Sequence, residues 1–169
     1  MKYEFTGLTK SFYGVTVHQI KLISDGTIGG WIESEKNLDQ NGDCFIYDNA
    51  VVSGNARVSG NASVFGNAMV AGNAIVFGDA SVFGNASVFG NARVYGNAGV
   101  FGDAMVSGDA MVSGDAEVSG NAWVFGDAMV AGNAEVFGNA WVYGDARVDR
   151  KSTRLNSSHI PLSRMPSSA

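Results

Sequence analysis

Residues 60–77 read GNASVF GNAMVA GNAIVF, three copies of one six-residue unit, and this stretch decides the fold. The unit extends outward in both directions, because a valine recurs at every sixth residue from Val52 to Val148, 17 times without insertion or deletion. Ile46 continues the register one step upstream, and Cys44 or an alanine lies two positions before each of these aliphatic residues. Gly followed by Asn or Asp separates the units, except at Asp48-Asn49. The unit is therefore Gly-(Asn/Asp)-Ala-x-Val-x.

Each unit predicts one short strand and one corner. Residues two apart in an extended strand face the same side, so alanine and valine share one face and the x residues take the other. Gly and Asn or Asp tolerate positive φ and are typical of turns. A strand this short cannot bury a face alone, but coiling stacks each strand on its equivalent and builds a continuous core. Three units per turn predict an all-β protein, a triangular parallel β-helix with 18 residues per coil and about six coils over residues 42–148.

The aliphatic residue at every sixth position, with a small residue two before it, resembles the left-handed β-helix hexapeptide-repeat superfamily. The resemblance implies the left hand of the coil, and members include acyltransferases, γ-class carbonic anhydrases and non-catalytic proteins, often homotrimers. Upstream, residues 29–33 (GGWIE), 37–38 (NL) and 42–48 (GDCFIYD) are similar to the leading segment of phage-borne and enterobacterial hexapeptide proteins. Those proteins are usually labelled transferases on repeat content, so the resemblance leaves the activity open.

Residues 1–41 break the repeat and predict a small β-rich N-terminal cap. Residues 3–6 and 15–18 alternate like strands, and Gly29-Gly30 predicts a turn. A cap is expected because the first coil of a solenoid presents open strand edges and an uncovered core. We expect Trp31 and Ile32 to cover the first layer, and ligand binding is the alternative role for Trp31.

The repeat stops after Val148, and residues 149–169 have a different origin. Residues 149–159 (DRKSTRLNSSH) and 163–169 (SRMPSSA) look like a direct translation, in one frame, of a common sequencing adapter. We therefore treat residues 149–169 as an artefactual tail that is expected to be disordered, and exclude it from functional reasoning. On this interpretation the gene is cut short, and the natural protein continues with further coils.

Composition and charge exclude several function classes. The formal net charge is −5, and residues 1–148 alone hold 7 Lys and Arg against 15 Asp and Glu. No basic run exists, so nucleic-acid binding is disfavoured. No apolar stretch has the length of a signal peptide or a membrane span, so we expect the cytoplasm or a phage particle and no membrane partner. The single cysteine, Cys44, cannot form an internal disulfide.

The residues that catalysis would require are scarce. Acyltransferases of the superfamily generally use a histidine general base and a loop that projects from the coils, and general-base chemistry needs a group that titrates near neutral pH. Only His18 in the cap and His159 in the tail are present, and no unit is interrupted by a loop. Carbonic-anhydrase chemistry needs three histidines on a metal. Cys44 occupies a core position with no evident base. The sequence therefore predicts no catalytic residues and no cofactor.

Two columns of residues, each spaced by one coil, are candidate sites. Asp109, Asp127 and Asp145 share one corner and are weak candidates for a Ca²⁺ site, although a row of solvated turn residues is the favoured interpretation. The second column is aromatic and lies outside the core, where it forms a stabilising ladder, an association surface, or both. Its members are Tyr47, Phe65, Phe83, Phe101 and Phe137, interrupted by Ser119. A non-enzymatic structural or binding solenoid is the main hypothesis, with a homotrimer or another protein covering this aromatic edge; a truncated or inactive hexapeptide acyltransferase is the alternative.

Overall fold

The computed structural model describes residues 1–149, so the expectation for residues 150–169 lies outside the described part of the chain. Within this range the secondary structure consists of 21 strands and one 3-10 turn, Glu35–Asn37. No helix among the described residues is long and apolar enough to cross a bilayer.

Each six-residue unit forms a two-residue strand, and equivalent strands pair in parallel at intervals of 18 residues. The strands lie on three faces, which we name A, B and C. Face A contains β3 (Ile28–Ile32), β5 (Val51–Val52), β8 (Met69–Val70), β11 (Ser87–Val88), β14 (Met105–Val106), β17 (Trp123–Val124) and β20 (Trp141–Val142). Face B contains β6 (Arg57–Val58), β9 (Ile75–Val76), β12 (Arg93–Val94), β15 (Met111–Val112), β18 (Met129–Val130) and β21 (Arg147–Val148). Face C contains β4 (Phe45–Ile46), β7 (Ser63–Val64), β10 (Ser81–Val82), β13 (Gly99–Val100), β16 (Glu117–Val118) and β19 (Glu135–Val136).

The predicted core is confirmed over almost its whole length. Every valine of the register from Val52 to Val142 is at most 3% exposed, and the alanines two positions before them are buried as well. Val148, in the last described coil, is only partly buried. A fully buried valine stabilises a fold by roughly 1.5–3 kcal/mol, so this column dominates the stability of the body.

The faces hold six coils of repeat, numbered 1 to 6 from β4, and the leading segment adds part of a seventh. Ile32 in β3 pairs with Val52, and Leu38 forms a bridge with Val58, so both enter the core. Ile32 and Leu38 are six residues apart, as in the repeat, but Ile46 follows Leu38 by eight. This two-residue insertion hides their register in the sequence.

The corners depend on glycine for its positive φ. Every corner glycine from Gly54 to Gly144 has φ between 62° and 74°, a range that residues other than glycine rarely adopt. The Asn and Asp residues that follow do not share this conformation, contrary to the expectation that both members of the pair contribute through positive φ. Asp48 is the exception, since it replaces glycine at its corner and takes φ 54°.

The N-terminal cap is an antiparallel hairpin that extends face A. β1 (Tyr3–Phe12) pairs with β2 (Val15–Leu22), and β2 pairs with β3. Tyr3 is buried, and its hydroxyl donates to the carbonyl of Leu38 at 3.0 Å. Burial raises the pKa of Tyr3 to about 12, with the Glu35 carboxylate as a further cause.

The prediction of a turn at Gly29-Gly30 is wrong, because both residues lie inside β3 and are buried. Glycine is needed there for close approach. A Cβ on Gly29 would lie 2.6 Å from the Phe45 ring, and one on Gly30 would lie 2.6 Å from the carbonyl oxygen of Ala50. The leading strand is therefore pressed against the first coil.

Candidate functional site

The outward residue before each valine gives the three faces different chemistry. All three arginines of the coils lie on face B and both glutamates lie on face C, whereas the repeat strands of face A present no charge. The outward residues of face A are Val51, Met69, Ser87, Met105, Trp123 and Trp141. Face A is therefore the apolar side of an acidic body.

The predicted aromatic edge lies at the corner that follows face C. The rings of Phe65, Phe83 and Phe101 stack with centroids 4.8 Å apart and with interplanar angles of 1° and 5°. All three are half-buried, and the Phe101 ring lies beside Gly99 of face C, where an added Cβ would be 3.6 Å from the ring. The rings thus form a ladder whose faces are covered and whose edges remain partly in solvent.

The two ends of this column are separate from the stack. Tyr47 packs edge-on against Phe45, with ring centroids 4.9 Å apart. Ser119 interrupts the column, and Phe137 beyond it is 37% exposed. The structure therefore brings three of the five predicted residues into one continuous ladder.

A second aromatic cluster lies on face A in coils 5 and 6. Trp123 and Trp141 stack with centroids 5.4 Å apart and remain 40% and 50% exposed. Phe125 stacks on Tyr143 at 5.5 Å and meets Trp141 edge-on at 6.3 Å. These two tryptophans are the most exposed large apolar side chains of the described coils.

A groove of about 510 Å³ lies on face A near its other end, between the tip of the β1–β2 hairpin and the coils. Its walls are mostly apolar, with one carboxylate. The lining residues are Phe12, Tyr13, Val15, Glu33, Ser53, Gly54, Met69, Ala71, Gly72 and Phe89. We name it the hairpin groove. Its volume falls within the range of about 300–1,000 Å³ that is typical of small-molecule pockets.

The hairpin tip carries an exposed aromatic residue in a rare backbone conformation. Tyr13 has φ 45° and Gly14 has φ 84°, the two positive values that a tight hairpin turn requires. Asn, Asp or Gly usually occupies the first of these positions, so tyrosine is an unfavourable choice for the turn itself. Tyr13 is 87% exposed and contacts only the edge of Phe12 among the aromatic rings of the described residues.

Asparagine side chains on the corners form directional ladders. The Nδ2 of one residue donates to the Oδ1 of the residue one coil later, as in the run Asn49, Asn67, Asn85 and Asp103, with distances of 3.4, 3.1 and 2.9 Å. The other ladders join Asn55, Asn73, Asn91 and Asp109; Asn61 and Asp79; Asn97 and Asp115; Asn121 and Asn139. Wherever a ladder reaches an aspartate it ends there, because a carboxylate has no hydrogen to donate.

The three weak candidates for calcium ligands lie on one of these corners. Asp109 accepts from Asn91 at 2.9 Å and ends its ladder, and Asp127 and Asp145 follow at the same corner of the next two coils. Among residues 1–149, no group of three or more His, Cys, Asp or Glu side chains is arranged to hold a metal ion.

The other candidate residues of the sequence, His18, Cys44 and Trp31, each contact side chains of the cap. The ring of His18 lies 5.1 Å from that of Phe5, within the hairpin. The sulfur of Cys44 is buried, and the Nζ of Lys2 lies 3.2 Å away.

Trp31 lies on the outer side of face A, in register with Val51, so Ile32 alone of the two covers the first layer. The Lys10 ammonium lies 4.2 Å above the Trp31 ring.

Sequence reasoning missed two features, the hairpin groove and the asparagine ladders. One wall of the groove is the hairpin tip, which precedes the residues of the coil wall by 38 to 77 positions, and no spacing in the sequence indicates that the two come together. The ladders had a signal, because Asn recurs at intervals of 18 residues on the same corners.

The comparison with known proteins agrees with this geometry. The family described as the YdcK beta-solenoid repeat matches residues 45–60 and 52–65, in the first two coils. No curated protein matches the chain. The chain is thus a parallel β-solenoid repeat protein, similar over residues 45–65 to the YdcK beta-solenoid repeat.

Proposed function

We propose that this protein is a non-enzymatic binding module in which the aromatic edge is an association surface as well as a ladder. The observation that carries the proposal is the stack of Phe65, Phe83 and Phe101 on an outer corner, half-buried within the chain. Stacking covers the ring faces but leaves an apolar stripe of ring edges, and monomers seldom leave large apolar stripes uncovered. The body is acidic, so charge keeps copies apart and association needs such a stripe. Three-fold packing of copies, or a separate protein, would cover it.

The resemblance of the repeat to hexapeptide proteins supports a more specific proposal. We propose that it belongs to the left-handed hexapeptide-repeat superfamily and is related to the phage-borne members. A phage particle or the cytoplasm is then its location.

An acyltransferase activity is the alternative, and the positions of the candidate residues argue against it. His18 lies against Phe5 in the hairpin, and the strands from Phe45 to Val148 follow one another without a projecting loop. Purified protein should not turn over acetyl-CoA with small amine or hydroxyl acceptors. Turnover that disappears in His18→Ala would overturn the non-enzymatic proposal.

The association surface is tested by sedimentation of the full chain at tens of micromolar. The triple variant Phe65→Ser, Phe83→Ser, Phe101→Ser should lose an assembly that the wild type forms with itself or with a partner. The matched control replaces Phe77 and Tyr95, which stack at 4.9 Å on the corner after face B, by serine. Equal losses in both variants would show that the rings only stabilise the coils.

A further inference from the structure

We propose that face A is a second association surface, through which two copies of the chain pair antiparallel. Each copy places its Trp123–Trp141 pair in the hairpin groove of the other. The proposal rests on the proposed function in treating the solenoid as a binding module, but it uses a different surface from the aromatic edge. A second copy is the occupant that the geometry favours, because the groove and the exposed pair lie at opposite ends of the same face.

A two-fold axis through the middle of face A makes these two features coincide. Such an axis lies in the plane of the interface, between coils 3 and 4 and at right angles to the solenoid axis, and it exchanges coil 5 with coil 2 and coil 6 with coil 1. The tryptophans lie in coils 5 and 6, whereas Met69 of the groove lies in coil 2 and Ser53 in coil 1. Near the axis the outward residues of face A are Ser87 in coil 3 and Met105 in coil 4, and neither is charged. The contact is isologous and closed, as in most homodimers.

The chemistry of the groove fits an indole. The groove is mostly apolar, and its polar side chains are Tyr13, Ser53 and Glu33; the Oε2 of Glu33 accepts a hydrogen bond from the backbone nitrogen of Gly54 at 2.6 Å. In the described part of the chain no hydrogen bond occupies Oε1 of Glu33, so this oxygen remains as an acceptor. Tryptophan combines a large apolar ring with a single donor, Nε1–H. The Oε1 acceptor in a mostly apolar wall therefore meets the single donor of an apolar ring.

The exposed tyrosine of the hairpin tip contacts the second copy in this arrangement. Tyr13 is 87% exposed in a turn position that tyrosine fills poorly, and Phe12 beside it lines the groove. In the pair of copies, Tyr13 lies over the partner's Trp123–Trp141 pair. Aromatic residues in such positions, and tryptophan above all, are the common anchors of protein interfaces.

Charge and area also favour contact through this face. The molecule is acidic, and the coils place their arginines on face B and their glutamates on face C, so the outward positions of the repeat strands on face A carry no charge that would repel a second copy. A standard interface covers roughly 800 Å² on each partner. The chain exposes 8947 Å² in total, so one of three long faces is large enough to supply that area.

The proposal is tested by the sedimented mass of the full chain and two variants, with thermal unfolding as a check on folding. Met69→Glu in the groove and the double variant Trp123→Ser, Trp141→Ser should each weaken pairing at least tenfold. The outward position tolerates both residue types, since glutamate occupies it at Glu117 and serine at Ser87. Met129→Glu is the matched control, because Met129 is an outward methionine on face B. It should leave the mass unchanged.

Mixing the two variants gives the decisive measurement. Neither variant forms a good contact with itself, but the groove of the tryptophan variant is intact and so is the tryptophan pair of Met69→Glu. A mixture should therefore recover pairs that hold one of the two contacts. A mixture that stays unpaired, a wild type that shows no pairing at tens of micromolar, or an equal loss in Met129→Glu would overturn the proposal.

The aromatic-edge variant separates this proposal from the proposed function. Phe65→Ser, Phe83→Ser, Phe101→Ser should keep pairing, at twice the 17.6 kDa of one chain. If pairing persists and no larger assembly or partner is found for the wild type, the aromatic-edge proposal fails and the face A proposal stands. If pairing is lost only in that triple variant, the face A proposal fails instead.

Discussion

The directional asparagine ladders predict that chemically identical substitutions have unequal costs. Asn85 accepts from Asn67 at 3.1 Å and donates to Asp103 at 2.9 Å. The variant Asn85→Asp keeps the acceptor but loses the donor, and it sets two carboxylates one coil apart. Asn139→Asp is the matched control, because Asn139 accepts from Asn121 at 3.1 Å and donates to no side chain among residues 1–149.

The magnitude follows from the two effects at Asn85. A lost hydrogen bond costs about 1 kcal/mol net. Two unit charges about 4.8 Å apart repel by about 0.9 kcal/mol in a medium as polar as water. We therefore expect Asn85→Asp to lower the free energy of unfolding by about 2 kcal/mol, or roughly 4–8 °C in melting temperature. Asn139→Asp should stay within about 0.5 kcal/mol of the wild type.

The assay is urea unfolding followed by circular dichroism, at neutral pH and again near pH 3. Below about pH 4 the new carboxyl group gains a proton, which removes the repulsion and supplies a donor, so the difference between Asn85→Asp and the wild type should shrink. Equal midpoints for the two variants at neutral pH would refute the ladder as a stabilising element.

Two further predictions concern a corner and the cap. Gly66 and Gly138 have nearly the same φ, 72° and 71°, but a Cβ at Gly66 would lie 3.0 Å from the carbonyl oxygen of Gly84, whereas one at Gly138 would meet nothing within 4 Å. In urea unfolding, Gly66→Ala should therefore lower the free energy of unfolding by about 1 kcal/mol or more beyond the loss in Gly138→Ala. Equal costs would mean that the corners have room to separate. Burial holds the pKa of Tyr3 at about 12, above the usual value near 10, so the folded state keeps the phenol proton longer than the unfolded chain does. Stability should therefore fall between pH 10 and 12, by on the order of 2 kcal/mol, and Tyr3→Phe should unfold with a flatter pH profile over that window; an unchanged profile would contradict the assignment.

Most of the coil could be predicted from the sequence, because its contacts repeat at a fixed spacing. The step of six between valines determines which residues face inward, since strand geometry alternates sides with a period of two. The interval of 18 between equivalent residues then determines which side chains stack, as the Phe65–Phe83–Phe101 ladder illustrates. The candidate surface was therefore predictable where it depends on neighbours one coil apart.

Only the tertiary structure decided the features that break this spacing. The two-residue insertion after Leu38 conceals a partial seventh turn, and Gly29-Gly30 is a close approach rather than a turn, because a strand from the cap packs against Phe45. The hairpin groove joins residues of the cap to Met69 and Phe89 through a long-range placement that no local pattern encodes. The direction of the asparagine ladders likewise follows from how amide groups orient between stacked coils. Sequence by itself determined the coils, because the contacts between them repeat every 18 residues. Only the tertiary structure decided the groove between the cap and the coils, because its contacts occur once and follow no repeat.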